Sequence, residues 1–125
     1  LPPKILLVDD EKDYVLTLSE RLQLREMEVD AVFDGEQALE YLERELPHVI
    51  LLDLRMPGMG GMEVLRQVRR RFPQVAVVIL TGHGSEKDRQ EALELGAVDY
   101  LQKPVDIGVL APTLRRACEP PDEPE

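Results

Sequence analysis

"HVILLDLRMPGMGG", residues 48–61, is the stretch whose reading decides the fold. Val49, Ile50, Leu51 and Leu52 form an unbroken apolar run, the composition of a strand covered on both faces. The run ends on a carboxylate, Asp53, and a Met-Pro-Gly turn follows at once. Burying a lone carboxylate is costly, so Asp53 is expected at the rim of a sheet, with partners delivered from elsewhere in the chain.

Working outward, the same kind of run recurs. Strands are predicted over residues 5–8, 29–33, 49–52, 75–80 and 98–101. Between them lie helical spacings: Val15, Leu18 and Leu22; Leu39, Leu42 and Leu46; Leu65, Val68 and Phe72; Ile107, Leu110 and Leu114. Asp34 before Gly35 reads as an N-cap, Ser85 with Asp88 as a capping-box variant, and Gly96 as a C′ residue. Pro47 and Pro73 follow helices that they cannot continue. Five strand–helix alternations imply an α/β fold with right-handed crossovers. The five-stranded parallel sheet fits the flavodoxin-like doubly wound order 2-1-3-4-5, whose functional edge lies at the carboxyl ends of the strands, beside the switch between strands 1 and 3.

That rule gathers a definite set of side chains. "LLVDDE" places Asp9 and Asp10 after strand 1, and strand 3 delivers Asp53. "VILTGHG" presents Thr81, and "YLQKP" presents Lys103. Three crowded carboxylates repel one another, and a divalent cation removes the conflict. Oxygen-only ligands suit Mg²⁺, which prefers one or two carboxylates together with water and phosphate oxygens. Asp53 is then a carboxylate nucleophile, with Lys103 as a mobile cation and Thr81 as a hydroxyl donor for a transferring phosphoryl group.

Composition narrows the field. The chain has 125 residues, enough for one domain with a single core, and 43% of them are hydrophobic. A net charge of −10 opposes direct contact with nucleic acid or an anionic membrane. Arg66 and Arg69, Arg70 and Arg71 lack interleaved aromatics and are expected on a solvated helix face. No apolar run is long enough to span a bilayer. The single cysteine, Cys118, has no internal partner and fits a reducing cytoplasm. The chain starts at Leu1 and ends "CEPPDEPE", which reads as the start of a linker in an excised piece of a longer protein, with a trimmed whole protein as the other reading.

Taken together, "ILLVDDE", "VILLDLRMPGMGGMEVL", "VVILTGHGS" and "GAVDYLQKP" resemble the receiver domain of two-component response regulators over nearly the whole chain. The resemblance implies a receiver domain over residues 1–118, with 119–125 as an acidic, proline-rich tail. It implies that Asp53 accepts a phosphoryl group from a histidine kinase or phosphotransfer protein. Asp10 would ligate Mg²⁺ directly, Asp9 mainly through water, and Arg55 through its backbone carbonyl. Thr81 would hydrogen-bond the phosphoryl group and Lys103 would pair with it, on a cis Lys103–Pro104 peptide. Tyr100 would move between exposed and buried positions with Thr81, altering the face of helix 4, strand 5 and helix 5 that an output domain or downstream protein reads. A phosphorylation-dependent dimer belongs to the same implication. Such a domain is a cytoplasmic signalling switch with self-catalysed transfer and hydrolysis, not an enzyme acting on a metabolite.

Other readings fit less well. A receiver-like interaction module working without phosphorylation would tolerate the loss of acceptor or metal carboxylates, and none is missing. An aspartyl-nucleophile phosphatase of the haloacid dehalogenase type resembles its relatives in carrying a second Asp two residues on, where this chain has Arg55. A flavodoxin is disfavoured because "DDEKD" would repel the phosphate its first loop should cradle. His83 and the Met56, Met59 and Met62 cluster lie near the site, and are expected as a bystander and as apolar packing. Gly108 and Pro112 interrupt the last helical pattern, which predicts a distorted or shortened helix 5.

Overall fold

The alternation of apolar runs and amphipathic stretches becomes a three-layer sandwich. A computed structural model of the chain describes residues 2–119. Its strands are β1 (Lys4–Val8), β2 (Glu28–Val32), β3 (Val49–Leu52), β4 (Ala76–Thr81) and β5 (Asp99–Gln102). Its helices are α1 (Lys12–Gln23), α2 (Gly35–Arg44), α3 (Gly61–Arg71), α4 (Glu86–Glu94) and α5 (Ile107–Cys118). The strands are parallel in the order β2-β1-β3-β4-β5, the flavodoxin-like arrangement that the sequence predicts. Strand ends shift by no more than one residue from the apolar runs, and at β1, β2, β4 and β5 ladder pairing extends past the run. Lys4 pairs with Glu28, and Thr81 with Gln102.

Strand periodicity divides the core into two halves. Leu6, Val8, Ile50, Leu52, Val77 and Ile79 face α2, α3 and α4, meeting Leu39, Leu42, Val64, Leu65 and Ala92. The alternate residues Ile5, Leu7, Val49, Leu51, Val78 and Leu80 face α1 and α5, meeting Val15, Leu18, Leu22, Leu110 and Leu114. Since β1, β3 and β4 are covered on both faces, they read as continuous Val/Ile/Leu. The edge strands, EVDAV and DYLQ, are mixed because they are only partly covered.

Most boundary signals act as read. Asp34 accepts from the Gln37 N–H at 2.8 Å and caps α2. Ser85 and Asp88 form a reciprocal capping box at α4, and Gly96 follows that helix with φ +105°. The basic face of α3 is less idle than expected. Arg69 donates to the Pro73 and Val75 carbonyls, closing the helix C-terminus, while Arg66 pairs with Glu91 and Arg71 with Glu43.

The expectation of a shortened helix 5 is overturned. Asp106 caps its start by accepting from the Gly108 N–H at 2.6 Å, and the helix continues through Pro112 to Cys118. Pro112 forfeits one bond to the Gly108 carbonyl. Leu110, Ala111 and Leu114, buried on either side of it, hold the helix against the sheet. Burial of two leucines is worth roughly 3–6 kcal/mol, more than the ~3 kcal/mol an interior proline costs. The predicted acidic tail falls on residues 119–125, of which only Glu119 is among the described residues.

Candidate functional site

Sheet register builds the site. Val8 pairs with Leu52, so the next residues, Asp9 and Asp53, leave adjacent strands side by side at the switch point. The Asp53 N–H donates to the Val8 carbonyl at 2.9 Å, and the Lys103 N–H to the Thr81 carbonyl at 3.0 Å. Backbone bonds of this kind fix where each side chain starts. Gly61 lets the first turn of α3 pack directly on the Asp53 and Leu54 backbone, where any Cβ would collide, and its N–H donates to the Leu54 carbonyl. That explains the second glycine of the pair closing "MPGMGG".

Asp9, Asp10 and Asp53 bring one carboxylate oxygen each within 4.8 Å of one another. Asp9 and Asp53 are buried, and Asp10 is exposed. Asp9 accepts from the Glu11 N–H at 2.9 Å, whereas Asp53 receives only a long 3.4 Å contact from the Arg55 N–H. The Lys103 ammonium donates to Asp9 at 2.6 Å and lies 3.4 Å from Glu11 and 3.9 Å from Asp53. Its peptide to Pro104 is cis. Burial pushes the Asp9 carboxyl above its ordinary range, the Lys103 hydrogen bond opposes this, and the Asp53 charge adds to it. Burial alone would lower the Lys103 ammonium, but Asp9, Asp53 and Glu11 outweigh it and the pKa is raised. Asp9, Asp10 and Asp53 against one ammonium leave a surplus of two negative charges, and Glu11 beside Lys103 adds a third.

The Thr81 hydroxyl is wholly buried and has no hydrogen-bond partner among the described residues. The same is true of the Tyr100 hydroxyl, which rests against Gly84 at a place where a Cβ would overlap it. Orphaned buried hydroxyls are rare and cost roughly 1–3 kcal/mol each, so two on adjacent strands β4 and β5 mark a place built to change or to receive something. Sequence order thus locates Asp9, Asp10, Asp53, Thr81 and Lys103 at one rim, and the structure brings the three carboxylates and Lys103 into contact distance. His83 is exposed on the β4–α4 loop; Met56 is buried, and Met59 and Met62 pack partly buried on the core.

Two site residues escape the sequence reading. Tyr14, on the first turn of α1, lays its ring 4.6 Å under the Lys103 ammonium, and Glu11 supplies that ammonium with a second anion. Their only signal is position, since residues two and five after Asp9 share its loop and first helical turn.

The comparisons with known proteins agree with this fold. The family model for the response regulator receiver domain matches residues 5–115. The chain therefore belongs to the response regulator receiver domain family. Among solved structures, the BeF3-activated N-terminal receiver domain of Klebsiella pneumoniae RstA is 32% identical, with a TM-score of 0.88; the match covers 94% of this chain and 99% of that one. A receiver domain protein from Clostridium thermocellum is also 32% identical, with a TM-score of 0.87 over 93% and 94% of the two chains. A CheY-like receiver domain protein from Methanospirillum hungatei is 25% identical, with a TM-score of 0.90 over 94% of each. Receiver domains of this family are the phosphorylatable modules of two-component signalling.

Proposed function

We propose that this chain is a signalling switch that accepts a phosphoryl group on Asp53 from a histidine kinase or phosphotransfer protein, with Mg²⁺ held by Asp9, Asp10, Asp53 and the Arg55 carbonyl. The observation that carries the reading is the charge imbalance at the rim. A divalent cation offsets two of the three surplus negative charges, and all-oxygen donors suit Mg²⁺. Bound there, the metal would offset most of that surplus and the charge developing on phosphoryl oxygens. An Asp53 oxygen attacks phosphorus while the phosphorus–nitrogen bond of the donor breaks and the imidazole leaves with the electron pair. Lys103, already 3.9 Å from Asp53, pairs with the added phosphoryl charge, and the unpartnered Thr81 hydroxyl supplies a donor. Glu11 and Tyr14 keep the Lys103 ammonium at the rim. The hydrolysis activity of the chain is confined to its own aspartyl phosphate.

Output follows from the second orphaned hydroxyl. Drawing Thr81 toward a phosphoryl group alters the wall against which Tyr100 rests, so Tyr100 and the face of α4, β5 and α5 respond together. An output domain or downstream partner reads that face, directly or through a phosphorylation-dependent dimer. A cytoplasmic location suits such a module, and no described helix is long and apolar enough to cross a membrane. Residues 1–118 then form the receiver, with any following chain as a connection to output. The test is incubation with Mg²⁺ and acetyl phosphate, read by intact mass. One added phosphoryl group is expected on the wild type and none on Asp53→Asn; an adduct that survives the substitution refutes Asp53 as acceptor.

A further inference from the structure

Lys103 has to serve two partners. Its ammonium donates to Asp9 at 2.6 Å and lies 3.9 Å from Asp53, the acceptor of the proposed reaction. A group that must leave one carboxylate and pair with charge added at another is poorly served by a rigid bond to either. Its stem is flexible, yet the side chain is only 11% exposed, so something other than water confines it.

Tyr14 supplies the surface that the carboxylates do not. Its ring centroid lies 4.6 Å from the Lys103 ammonium. The ring is itself anchored, because Tyr14 packs against the half of the core that holds Val15, Leu18, Leu51 and Leu80. Together with Asp9 and Asp53 it lines a cavity of only about 10 Å³, the lower limit for a single water, so no hydrated space opens beside the two carboxylates there. Burial raises the pKa of the Tyr14 hydroxyl, with the Lys103 charge opposing, so the ring meets the cation uncharged. Attraction to a ring face also differs in kind from a hydrogen bond to a carboxylate. It arises from the ring quadrupole and demands no single donor direction, so an ammonium can shift across the face and remain attracted.

We propose that Tyr14 is a positioning residue for phosphoryl capture: its ring face is the surface on which the Lys103 ammonium passes from Asp9 to the charge added on Asp53. The ring keeps the ammonium at the rim without tying it to one carboxylate. Glu11 lies 3.4 Å from the same ammonium but is 58% exposed, so its pull is screened by solvent and does not replace the ring. The inference rests on the proposed phosphoacceptor function for its anion-binding assay, but not for its resting-state assay.

Two measurements on the whole chain test it. Tyr14→Leu and Tyr14→Met remove the ring face and keep an apolar side chain of useful size, whereas the conservative Tyr14→Phe removes only the hydroxyl. In the resting protein without metal, the ring current should shift the Lys103 ε-methylene protons upfield in the wild type and in Tyr14→Phe. Both aliphatic variants should lose that shift. With Mg²⁺ and beryllofluoride, followed by fluorine NMR, the aliphatic variants are expected to bind the anion about three- to tenfold more weakly, and Tyr14→Phe to restore binding to within about twofold of wild type. Their affinity for Mg²⁺ alone should change by less than about twofold, because the ring acts on the ammonium and not on the metal carboxylates. Weakening by Tyr14→Phe as large as that by Tyr14→Leu would overturn the proposal by moving the role to the hydroxyl. So would a loss of Mg²⁺ affinity equal to the loss of anion affinity, which makes Tyr14 a packing residue for the acidic loop, or an unchanged anion affinity in the aliphatic variants. If wild type takes no beryllofluoride, the phosphoacceptor reading fails, while the presence or absence of the ring-current shift still decides whether the ring holds the ammonium.

Discussion

Replacing Asp53 with Asn should stabilise the metal-free protein by about 1–3 kcal/mol, although it removes the group on which the proposed function depends. The magnitude comes from opposing distances. At an effective dielectric constant of about 20, repulsion between Asp9 and Asp53, whose oxygens lie within 4.8 Å of each other, is at least ~3.5 kcal/mol. Attraction between Lys103 and Asp53 at 3.9 Å is ~4.3 kcal/mol by the same arithmetic. These nearly cancel, and Lys103 keeps its 2.6 Å bond to Asp9 in either protein. What remains is repulsion from Asp10 and the desolvation of a buried carboxylate whose only backbone donor among the described residues is 3.4 Å away. Both terms favour the neutral amide. The pH dependence has a definite sign. Asp9 has a raised folded pKa, so its contribution to stability is present below the ordinary value of 3.8 and is lost as pH rises through the elevated one. The Asp53→Asn substitution relieves part of that elevation, so the variant's advantage should grow across the same interval. Saturating Mg²⁺ should then close the gap: at a hundredfold excess over Kd the wild type gains ~2.7 kcal/mol, and a site that has lost one carboxylate gains less. Urea unfolding of both proteins across that pH interval, with Mg²⁺ and with chelator, measures all three effects. An Asp53→Asn protein that is destabilised without metal, or that responds to Mg²⁺ as fully as wild type, refutes the charge-imbalance argument.

Three further outcomes probe the scaffold. Pro112→Ala restores the N–H facing the Gly108 carbonyl and should stabilise by ~1–2 kcal/mol in urea unfolding, after the loss of proline's restraint on the unfolded chain; destabilisation would show that the proline ring contributes packing that outweighs the bond. Glu26 closes α1 at φ 66°, in the left-handed region, so Glu26→Gly should raise the thermal midpoint by an amount equivalent to ~0.5–1 kcal/mol, and a lowered midpoint would refute the strain. Burial pushes the Cys118 thiol from 9.0 to about 11, so at pH 8 its thiolate fraction should be about a hundredfold below that of an ordinary cysteine. Iodoacetamide should accordingly modify the native protein slowly and the urea-unfolded protein fast, and equal rates would refute the burial.

The fold is legible because its signals are redundant. Continuous Val/Ile/Leu at β1, β3 and β4, Asp34 and Ser85 as caps, and Gly96 after α4 all point to the same alternation, and no single one has to be right. The rim is legible because a parallel sheet sends every strand's last residues to the same edge, so Asp53, Asp9 and Lys103 can be gathered by counting alone. Other features depend on packing that no local pattern encodes. Pro112 is an interior helix breaker by every propensity scale, yet Leu110 and Leu114 outweigh it. Tyr14 meets Lys103 only because α1 and the chain after β5 lie on the same face. Arg69 has the sequence context of a solvated arginine, and its task emerges only where α3 ends against the Pro73 and Val75 carbonyls.

Strand parity also explains how one rim can serve two tasks. Asp9 and Asp53 continue the alternate positions of Leu7 and Leu51, which face α1 and α5, and Lys103 continues that of Leu101. Thr81 and Tyr100 continue the opposite set, with Ile79, which faces α4. The charged cluster and the two orphaned hydroxyls therefore lie on opposite faces of the sheet and approach each other only where the strands end. A change in charge at the rim can reach the α4 side through Thr81 without disturbing the packed strands beneath. The residues that would have to move, Thr81, Gly84 and Tyr100, carry no hydrogen bond from either buried hydroxyl that would resist the change. In this sheet the residues that hold charge and the residues free to rearrange are separated by a single step in register.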